Sequence, residues 1–390
     1  MPQDNFLRLQ ILVFTLVAAA FTTVYLTQPV LPVIQGEFHV SASVASLTVS
    51  AVILGMALAN LPFGALADRV PAPRLIGLGG TLVAGAGLLC ALTASFPLLV
   101  AGRFLQGVFI PCLSTCVAAY LAGALPPARL NVVMGAYVSA TVAGGLSGRL
   151  LGGWLHPPLH WRYAFVTASL LLLAAAWAAA LGLPRPARLP ASPEEPAGFS
   201  ALLAQPEIRR LYLVPFGAFF VFSSVFNYLP FYLAGPPFFA SINLITAMYL
   251  TYIVGIFIGP AAGVLSNRLG NGATMALGAV VFAGSLLASL IPAVAMVVAS
   301  LLGVCAGFFA IHAAAAGSLN RRLSSGRGRA NSLYVLSYYL GGALGISLSG
   351  VAYGRGGWPG LVALGLATLL LPLAVGLRDR RAEGAVAPTV

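Results

Sequence analysis

The sequence contains very little charge and no lysine at all. Only 7% of its 390 residues are charged, whereas an average soluble domain carries about 25%. Twenty arginines and eight acidic residues are too few to cover the surface of a soluble protein of this length. The composition therefore excludes an ordinary soluble enzyme or binding domain. With 59% hydrophobic residues, it predicts an all-α integral membrane protein.

Several chemical signatures are also missing. The four cysteines lie inside apolar runs, without CxxC spacing or neighbouring histidines, so no metal site is expected. The sequence has no GxxxxGK[ST] loop, which disfavours pumping driven by ATP. It also lacks HExxH, a Ser/His dyad or paired aspartates within its apolar runs, which disfavours an intramembrane enzyme. We expect no enzymatic activity and no cofactor.

Apolar segments of membrane-spanning length dominate the chain. A transmembrane helix needs about 20 apolar residues, and twelve such runs are separated by proline, glycine or arginine. The runs lie near residues 9–32, 44–66, 74–94, 97–122, 131–155, 162–183, 210–233, 241–265, 272–291, 294–318, 330–353 and 357–377. The predicted organisation is a six-helix bundle over 1–183, a proline-rich cytoplasmic linker over 184–209, a second six-helix bundle over 210–377 and a cytoplasmic tail over 378–390.

The arginines predict how the chain is oriented. Placing the N-terminus inside puts sixteen of the twenty on the cytoplasmic side, as expected for loops that are not translocated. Both termini are then cytoplasmic, in a multi-pass protein of the bacterial inner membrane. The net charge of +12 follows from this topology, so membrane lipid is the expected partner and nucleic acid is not.

The two halves of the chain repeat at an offset of about 200 residues. The segment 64–69 matches the segment 263–268, and Gly107 matches Gly307. A shared offset indicates a duplicated six-helix unit. Because six is an even number, both copies have the same orientation, as in transporters with parallel repeats.

One loop suggests a family. Residues 64–74 have the sequence GALADRVPAPR, which resembles the G-x-L-a-D-r-x-x-x-r signature of the major facilitator superfamily. The resemblance implies that Gly64 permits close helix approach, and that Asp68, flanked by Arg69 and Arg74, acts as a charge latch. That latch would hold the cytoplasmic side closed against the start of the eleventh helix. The alternative is charge that only sets the topology.

Two further motifs resemble proton-driven drug antiporters of that superfamily. Arg103 and Gln106 fit an R-x-x-Q-G signature. The fifth run carries the glycine spacing of the antiporter signature, with arginine at the position of its proline: Gly135, Gly144, Gly148, Arg149, Gly152 and Gly153. Near the N-terminus, the segment 25–32 resembles the acriflavine-sensitivity branch. The glycines are also typical of generic helix packing.

Away from the first residues of the predicted helices, charge within them is confined to two arginines. None of the eight acids lies in the middle of a predicted helix, so a buried carboxylate proton carrier is missing. Arg103 and Arg149 lie near the predicted outer ends of their helices. They either bind an anionic group or modulate a proton site, or they snorkel to the interface or pair with Glu37. His312 is the one histidine within a predicted span and is either a proton carrier or a packing residue.

Other polar and aromatic side chains could line a cavity, or could instead make hydrogen bonds between helices or lie at the interface. They are Tyr25, Gln28, Gln106, Tyr137, Asn227, Tyr228, Tyr252, Tyr334 and Tyr338.

Together with the apolar runs and the repeat, this family resemblance implies a monomeric secondary transporter of the major facilitator fold, with twelve helices in two bundles that alternately expose a cavity to each side. The expected activity is proton-coupled export of a small amphiphilic or anionic compound. Uptake or exchange of a small organic anion or sugar is an alternative. A membrane sensor or scaffold is a third class, but the linker is too short to be an output domain.

Overall fold

The apolar runs fold as helices, because a backbone surrounded by lipid must satisfy its hydrogen bonds within its own segment. A computed structural model describes residues 3–67, 69–125, 127–183, 198–323 and 327–386, and the regular structure in these ranges is entirely helical. The α-helices are α1 (Gln3–Thr22), α2 (Leu31–Phe38), α3 (Ala42–Ala45), α4 (Leu47–Ala67), α5 (Ala72–Leu92), α6 (Phe96–Leu113), α7 (Thr115–Ala124), α8 (Pro127–Leu155), α9 (Arg162–Gly182), α10 (Phe199–Ala204), α11 (Pro206–Ala234), α12 (Ile242–Met248), α13 (Val254–Leu269), α14 (Asn271–Ala288), α15 (Val294–Arg321) and α16 (Arg327–Val386).

Within the described residues, ten helical segments are long and apolar enough to cross a membrane. One of them, Gly328–Glu383, has 56 residues, more than twice the length that a single crossing needs. It is interrupted at Gly357, whose φ of 58° and ψ of −150° are not helical. The sequence predicts a boundary between two helices at this place.

Several spans are broken rather than continuous. The first predicted run, 9–32, contains the end of α1 at Thr22 and a 3-10 turn at Gln28–Val30 before α2 begins. Proline has no N–H to donate, so Pro29 and Pro32 favour a break here. Backbone carbonyls freed by such a break need other donors.

The chain forms two compact units. The first comprises Met1–Val40, Leu47–Ser192 and Ile242–Ala247. In it α8 packs along α1, α4 packs on α6, and α5 packs on α9. Three glycines of α8, spaced four residues apart, lie against backbone carbonyls of the first span. A Cβ added at any of them would fall on such a carbonyl: Gly144 on Ala18, Gly148 on Thr22 and Gly152 on Leu26.

The second unit comprises Ser41–Ser46, Pro193–Ser241 and Met248–Val390. Here α16 packs along α11, and glycines again meet backbone carbonyls four residues apart. A Cβ at Gly341 would fall on the carbonyl of Phe216, and one at Gly345 on that of Phe220. The duplication that the sequence indicates is thus repeated in the packing.

The second unit continues beyond the predicted end of its last helix. The sequence assigns residues 378–390 to a tail, but α16 extends to Val386 and buries Asp379, which is 5% exposed. At the other end, α11 begins at Pro206, within the segment assigned to the linker. Linker residues 184–197 lie outside the described residues.

Candidate functional site

Arg103 is completely buried in the first unit and is held by hydrogen bonds to neutral groups. Its Nε donates to the Thr48 carbonyl at 2.7 Å, and its Nη1 donates to the Thr23 carbonyl at 2.7 Å and to Gln106 Oε1 at 2.6 Å. Its Nη2 donates to the Val24 carbonyl. The planar guanidinium suits this task because it presents several donors in a fixed fork.

Two of these carbonyls belong to the break in the first span. Thr23 and Val24 follow the last residue of α1, so their oxygens are not used by a continuing helix. Arg103 therefore supplies the donors that the break requires. Snorkelling is wrong for this residue, because its side chain does not reach the surface.

Arg149 is the second buried arginine of this unit, with 2% exposure. Its Nε donates to Gln28 Oε1 at 2.7 Å, and its Nη1 donates to the Gly145 carbonyl at 2.8 Å. The guanidinium carbon lies 3.8 Å from the centroid of the Tyr25 ring, a cation–π distance. The structure thus brings together Tyr25, Gln28 and Arg149, and here too snorkelling is wrong.

Glu37, the predicted alternative partner of the buried arginines, is engaged elsewhere. Its carboxylate accepts hydrogen bonds from Trp161 Nε1 at 2.6 Å and from Arg162 Nη1. Arg162 also donates to the Thr93 carbonyl at 3.0 Å. This cluster ties the end of α2 to the start of α9. A pair between Glu37 and Arg103 is therefore wrong.

His312 lies in the second unit beside Tyr334 and Tyr338. The Tyr334 hydroxyl and His312 Nδ1 are 3.0 Å apart, and the imidazole centroid is 5.4 Å from each of the two phenol rings. An imidazole nitrogen can bind and release a proton, and the Tyr334 hydroxyl lies within hydrogen-bond distance of this one. The structure therefore brings three of the predicted residues together.

Stacked rings surround this histidine and form what we name the aromatic cluster. The ring centroids of Phe219 and Tyr338 are 3.8 Å apart, and those of Phe222 and Phe308 are 3.9 Å apart. Phe308 stacks on His312 at 6.0 Å. The cluster comprises Phe219, Phe222, Phe226, Tyr252, Phe308, His312, Tyr334 and Tyr338. Its phenylalanines were not predicted as site residues, although the spacing of Phe219, Phe222 and Phe226 along α11 is the signal for a shared helix face.

Asn227 and Tyr228 lie deeper in the second unit and are fully buried. Asn227 Nδ2 donates to Ser46 Oγ at 2.7 Å, and the Tyr228 hydroxyl donates to the Ile346 carbonyl at 3.0 Å. Among the described residues, Asn227 Oδ1 has no hydrogen-bond partner. Both residues make hydrogen bonds between helical segments, one of the two interpretations left open by the sequence.

The loop motif is only partly described. Asp68 lies outside the described residues, while Arg69 and Arg74 are exposed. A Cβ added at Gly64 would make ordinary contact with Thr115, at 3.9 Å. The close approach expected at Gly64 is therefore wrong, because space for a methyl group is available there.

A buried ion pair that the sequence did not indicate lies at the end of the second unit. Arg322 Nη2 is 2.8 Å from Asp379 Oδ2, and Ser318 Oγ donates to the same oxygen at 3.3 Å. Arg322 also reaches Glu207 at 3.7 Å. Asp379 follows the predicted last helix, 357–377, so the apolar runs alone did not indicate that it is buried.

Removing Arg322 should destabilise this end of the protein. In Arg322→Gln the carboxylate of Asp379 stays buried without its cation, so we expect the free energy of unfolding to fall by about 1–3 kcal/mol, allowing for the partial exposure of Arg322. Thermal unfolding in detergent measures this loss. The exposed Arg209→Gln is the control, and an equal effect of both variants would contradict the assignment.

Comparisons with known proteins agree with this architecture. Residues 13–293 match the model of the Major Facilitator Superfamily. The chain is 29% identical to the inner membrane transport protein YnfM of Escherichia coli (strain K12), over 97% of this chain and 91% of that protein. It is 28% identical to the uncharacterized MFS-type transporter YybF of Bacillus subtilis (strain 168), over 96% and 94%.

A solved structure shows the same fold. The bacterial homolog of the human lysosomal transporter Spinster, in its inward-facing and unoccupied conformation, superimposes with a TM-score of 0.75 and 18% identity. The match covers 99% of this chain and 98% of that one. Since the family model also spans well over half of the sequence, the chain belongs to the major facilitator superfamily of membrane transporters.

Proposed function

We propose that this protein is a proton-coupled secondary transporter that exports a small amphiphilic or anionic compound across the bacterial inner membrane by alternating access. The observation that carries the proposal is His312, hydrogen-bonded to Tyr334 within the aromatic cluster. The phenylalanine rings are buried in this structure, and they would offer an amphiphile a flat apolar surface once the helices around them part. The imidazole beside them has a nitrogen that can bind and release a proton.

The proposed topology has twelve crossings with both termini in the cytoplasm. Ten candidate spans are the starting point, with Gly328–Glu383 divided at Gly357. The 29-residue α8 is added, because its length is sufficient for a crossing. The arginine distribution supports cytoplasmic termini and linker, with the two bundles bounded as the sequence predicts.

Different roles are proposed for the charged residues. His312 carries the proton. Arg103 is a positioning residue that holds the broken first span, since its donors are committed to backbone carbonyls and Gln106. Asp68 is proposed as the cytoplasmic latch. Arg149 beside Gln28 remains the candidate for attraction of an anionic group.

Transport in proteoliposomes tests the proposal. With an imposed pH gradient, the purified protein should move at least one compound from a panel of organic anions, cationic dyes and sugars. His312→Gln should lose most of the response to the gradient, because the amide does not titrate, while substrate exchange without a gradient persists. His160→Gln is the matched control, since His160 is exposed.

Two outcomes would contradict this. If no compound on the panel moves under any gradient, the protein is better explained as a sensor or scaffold. If His312→Gln and the native protein respond equally to pH, the proton is carried elsewhere.

Uptake or exchange of a small organic anion or sugar is the second candidate, favoured by the cation at Arg149. An inside-negative potential favours anion export by about 2.3 kcal/mol per charge per 100 mV, so reversing the imposed potential separates the two directions.

A further inference from the structure

A polar cavity of about 460 Å³ lies within the second unit, outside the aromatic cluster and the other sites described above. Its walls come from the ends of α13, α15 and α16 and from the connection between α13 and α14. The lining residues are Ser266, Asn267, Leu269, Gly270, Arg321, Arg380 and Glu383. The proposed transport mechanism does not use this cavity.

Two arginines provide the cavity with positive charge. Arg321 Nη2 reaches the side-chain oxygens of Asn267 and Asn271 only at 3.4 Å, the long limit of a hydrogen bond. Within the described residues, neither Arg321 nor Arg380 forms an ion pair. Their charge is therefore available to an anionic ligand.

The acidic groups nearby are already engaged. The Glu383 carboxylate accepts a hydrogen bond from the Gly272 backbone N–H at 3.2 Å, at the start of α14. Asp379 is paired with Arg322. Three more exposed arginines, Arg268, Arg378 and Arg381, add to the positive potential at this end of the unit.

Ser266 adds a polar group to the wall of the cavity. This residue lines the cavity and is only 4% exposed, yet its Oγ has no hydrogen-bond partner among the described residues. A buried hydroxyl without a partner costs about 1–3 kcal/mol. A ligand oxygen that reached this hydroxyl would accept its hydrogen bond and remove that cost.

The cavity lies where candidate spans end. One span ends at Leu269, the next begins at Asn271, and a third ends at Arg321. In a bilayer, these positions are at the depth of the lipid headgroups. Basic pockets between helices at the cytoplasmic surface suit phosphate-bearing headgroups, which two guanidinium groups can bind through paired N–H donors.

We propose that this cavity binds the phosphate of an anionic phospholipid headgroup, held by Arg321 and Arg380 and by the hydroxyl of Ser266. The volume is sufficient for a phosphate and an attached glycerol. The lipid would join α13, α15 and α16 at the membrane surface without taking part in the transport cycle.

Lipid binding to the full chain tests the proposal. Native mass spectrometry and thermal unfolding are measured in detergent with added phosphatidylglycerol or phosphatidylcholine. Phosphatidylglycerol should bind and raise the unfolding temperature. The double variant Arg321→Gln/Arg380→Gln should lose about tenfold or more in affinity, as expected for charge-assisted hydrogen bonds. Ser266→Ala should weaken binding by a smaller factor.

The matched control is Arg378→Gln/Arg381→Gln, which removes the same net charge from exposed positions outside the cavity. It should keep most of the native affinity for phosphatidylglycerol, because these arginines add only to the surrounding potential. Equal losses in both double variants, or no preference for phosphatidylglycerol over phosphatidylcholine, would overturn the site.

A third arm distinguishes the source of the phosphate. Inorganic phosphate in excess should neither protect the protein nor compete with the lipid. Protection by inorganic phosphate alone would overturn the lipid assignment, because the cavity would then take a soluble anion. None of these measurements involves transport, so they are independent of the proposed proton coupling.

Discussion

Arg103→Ala is expected to abolish transport and to lower the free energy of unfolding by about 2 kcal/mol or more. The substitution leaves the carbonyls of Thr23 and Val24 buried without donors, in the break of the first span. It also opens a cavity beside Phe165, whose ring centroid is 5.4 Å from the guanidinium carbon. Thermal unfolding in detergent and uptake into proteoliposomes measure the two losses.

Two comparisons make this result specific. Arg103→Lys keeps the charge but not the planar fork, so it should recover only part of the stability. Arg74→Ala removes an exposed arginine and should unfold like the native protein. A well-folded Arg103→Ala protein with normal transport would show that the hydrogen bonds of this arginine are dispensable.

Gly148→Ala is expected to lower the free energy of unfolding of the first unit by about 3 kcal/mol or more. This is at or above the largest cost usual for adding one methyl group to a well-packed core. The added methyl group would fall on the backbone carbonyl of Thr22, which cannot move aside as a flexible side chain could. Gly148→Leu should yield little folded protein. Expression followed by size-exclusion chromatography in detergent and thermal unfolding measure both effects.

Gly135→Ala is the matched control, because Gly135 lies on the same helix with no atom within 4 Å of an added Cβ. Alanine favours a helix by about 1 kcal/mol over glycine, so this variant should be unchanged or slightly more stable. Equal stability of Gly148→Ala and Gly135→Ala would mean that α8 and α1 are not in close contact.

The fold was largely predictable, because apolar length and glycine spacing are local properties of the sequence. In lipid, a run of about 20 apolar residues can satisfy the hydrogen bonds of its own backbone only as a helix. The spacing of Gly144, Gly148 and Gly152 indicates a helix face that approaches a neighbouring helix closely. In the structure this face packs against backbone carbonyls of the first span. Gly135 and Gly64 also belong to glycine motifs, but neither lies in close contact with another helix. Glycine spacing alone does not distinguish these two kinds of position.

The surroundings of the charged residues were less predictable. The length of an apolar run does not show where the helix within it is broken. The sequence therefore did not indicate that the carbonyls of Thr23 and Val24 accept hydrogen bonds from Arg103. Snorkelling, one of the alternatives left open for this arginine, is excluded because the side chain is buried in that break. Asp379 was missed similarly, because its burial depends on Arg322, which is distant in sequence but adjacent in space. The aromatic cluster also depends on packing between α11, α15 and α16.

The glycine faces constrain how neighbouring helices can move. On α8, Gly144, Gly148 and Gly152 form a smooth track along the helix axis, since no side chain interrupts it at that spacing. Rolling α8 about its axis would bring larger side chains against α1, whereas sliding along the track meets no such obstacle. The glycines are four residues apart, so a shift of about 6 Å along the axis would bring two of the three over a neighbouring carbonyl. Longitudinal sliding is therefore the least hindered motion between α1 and α8.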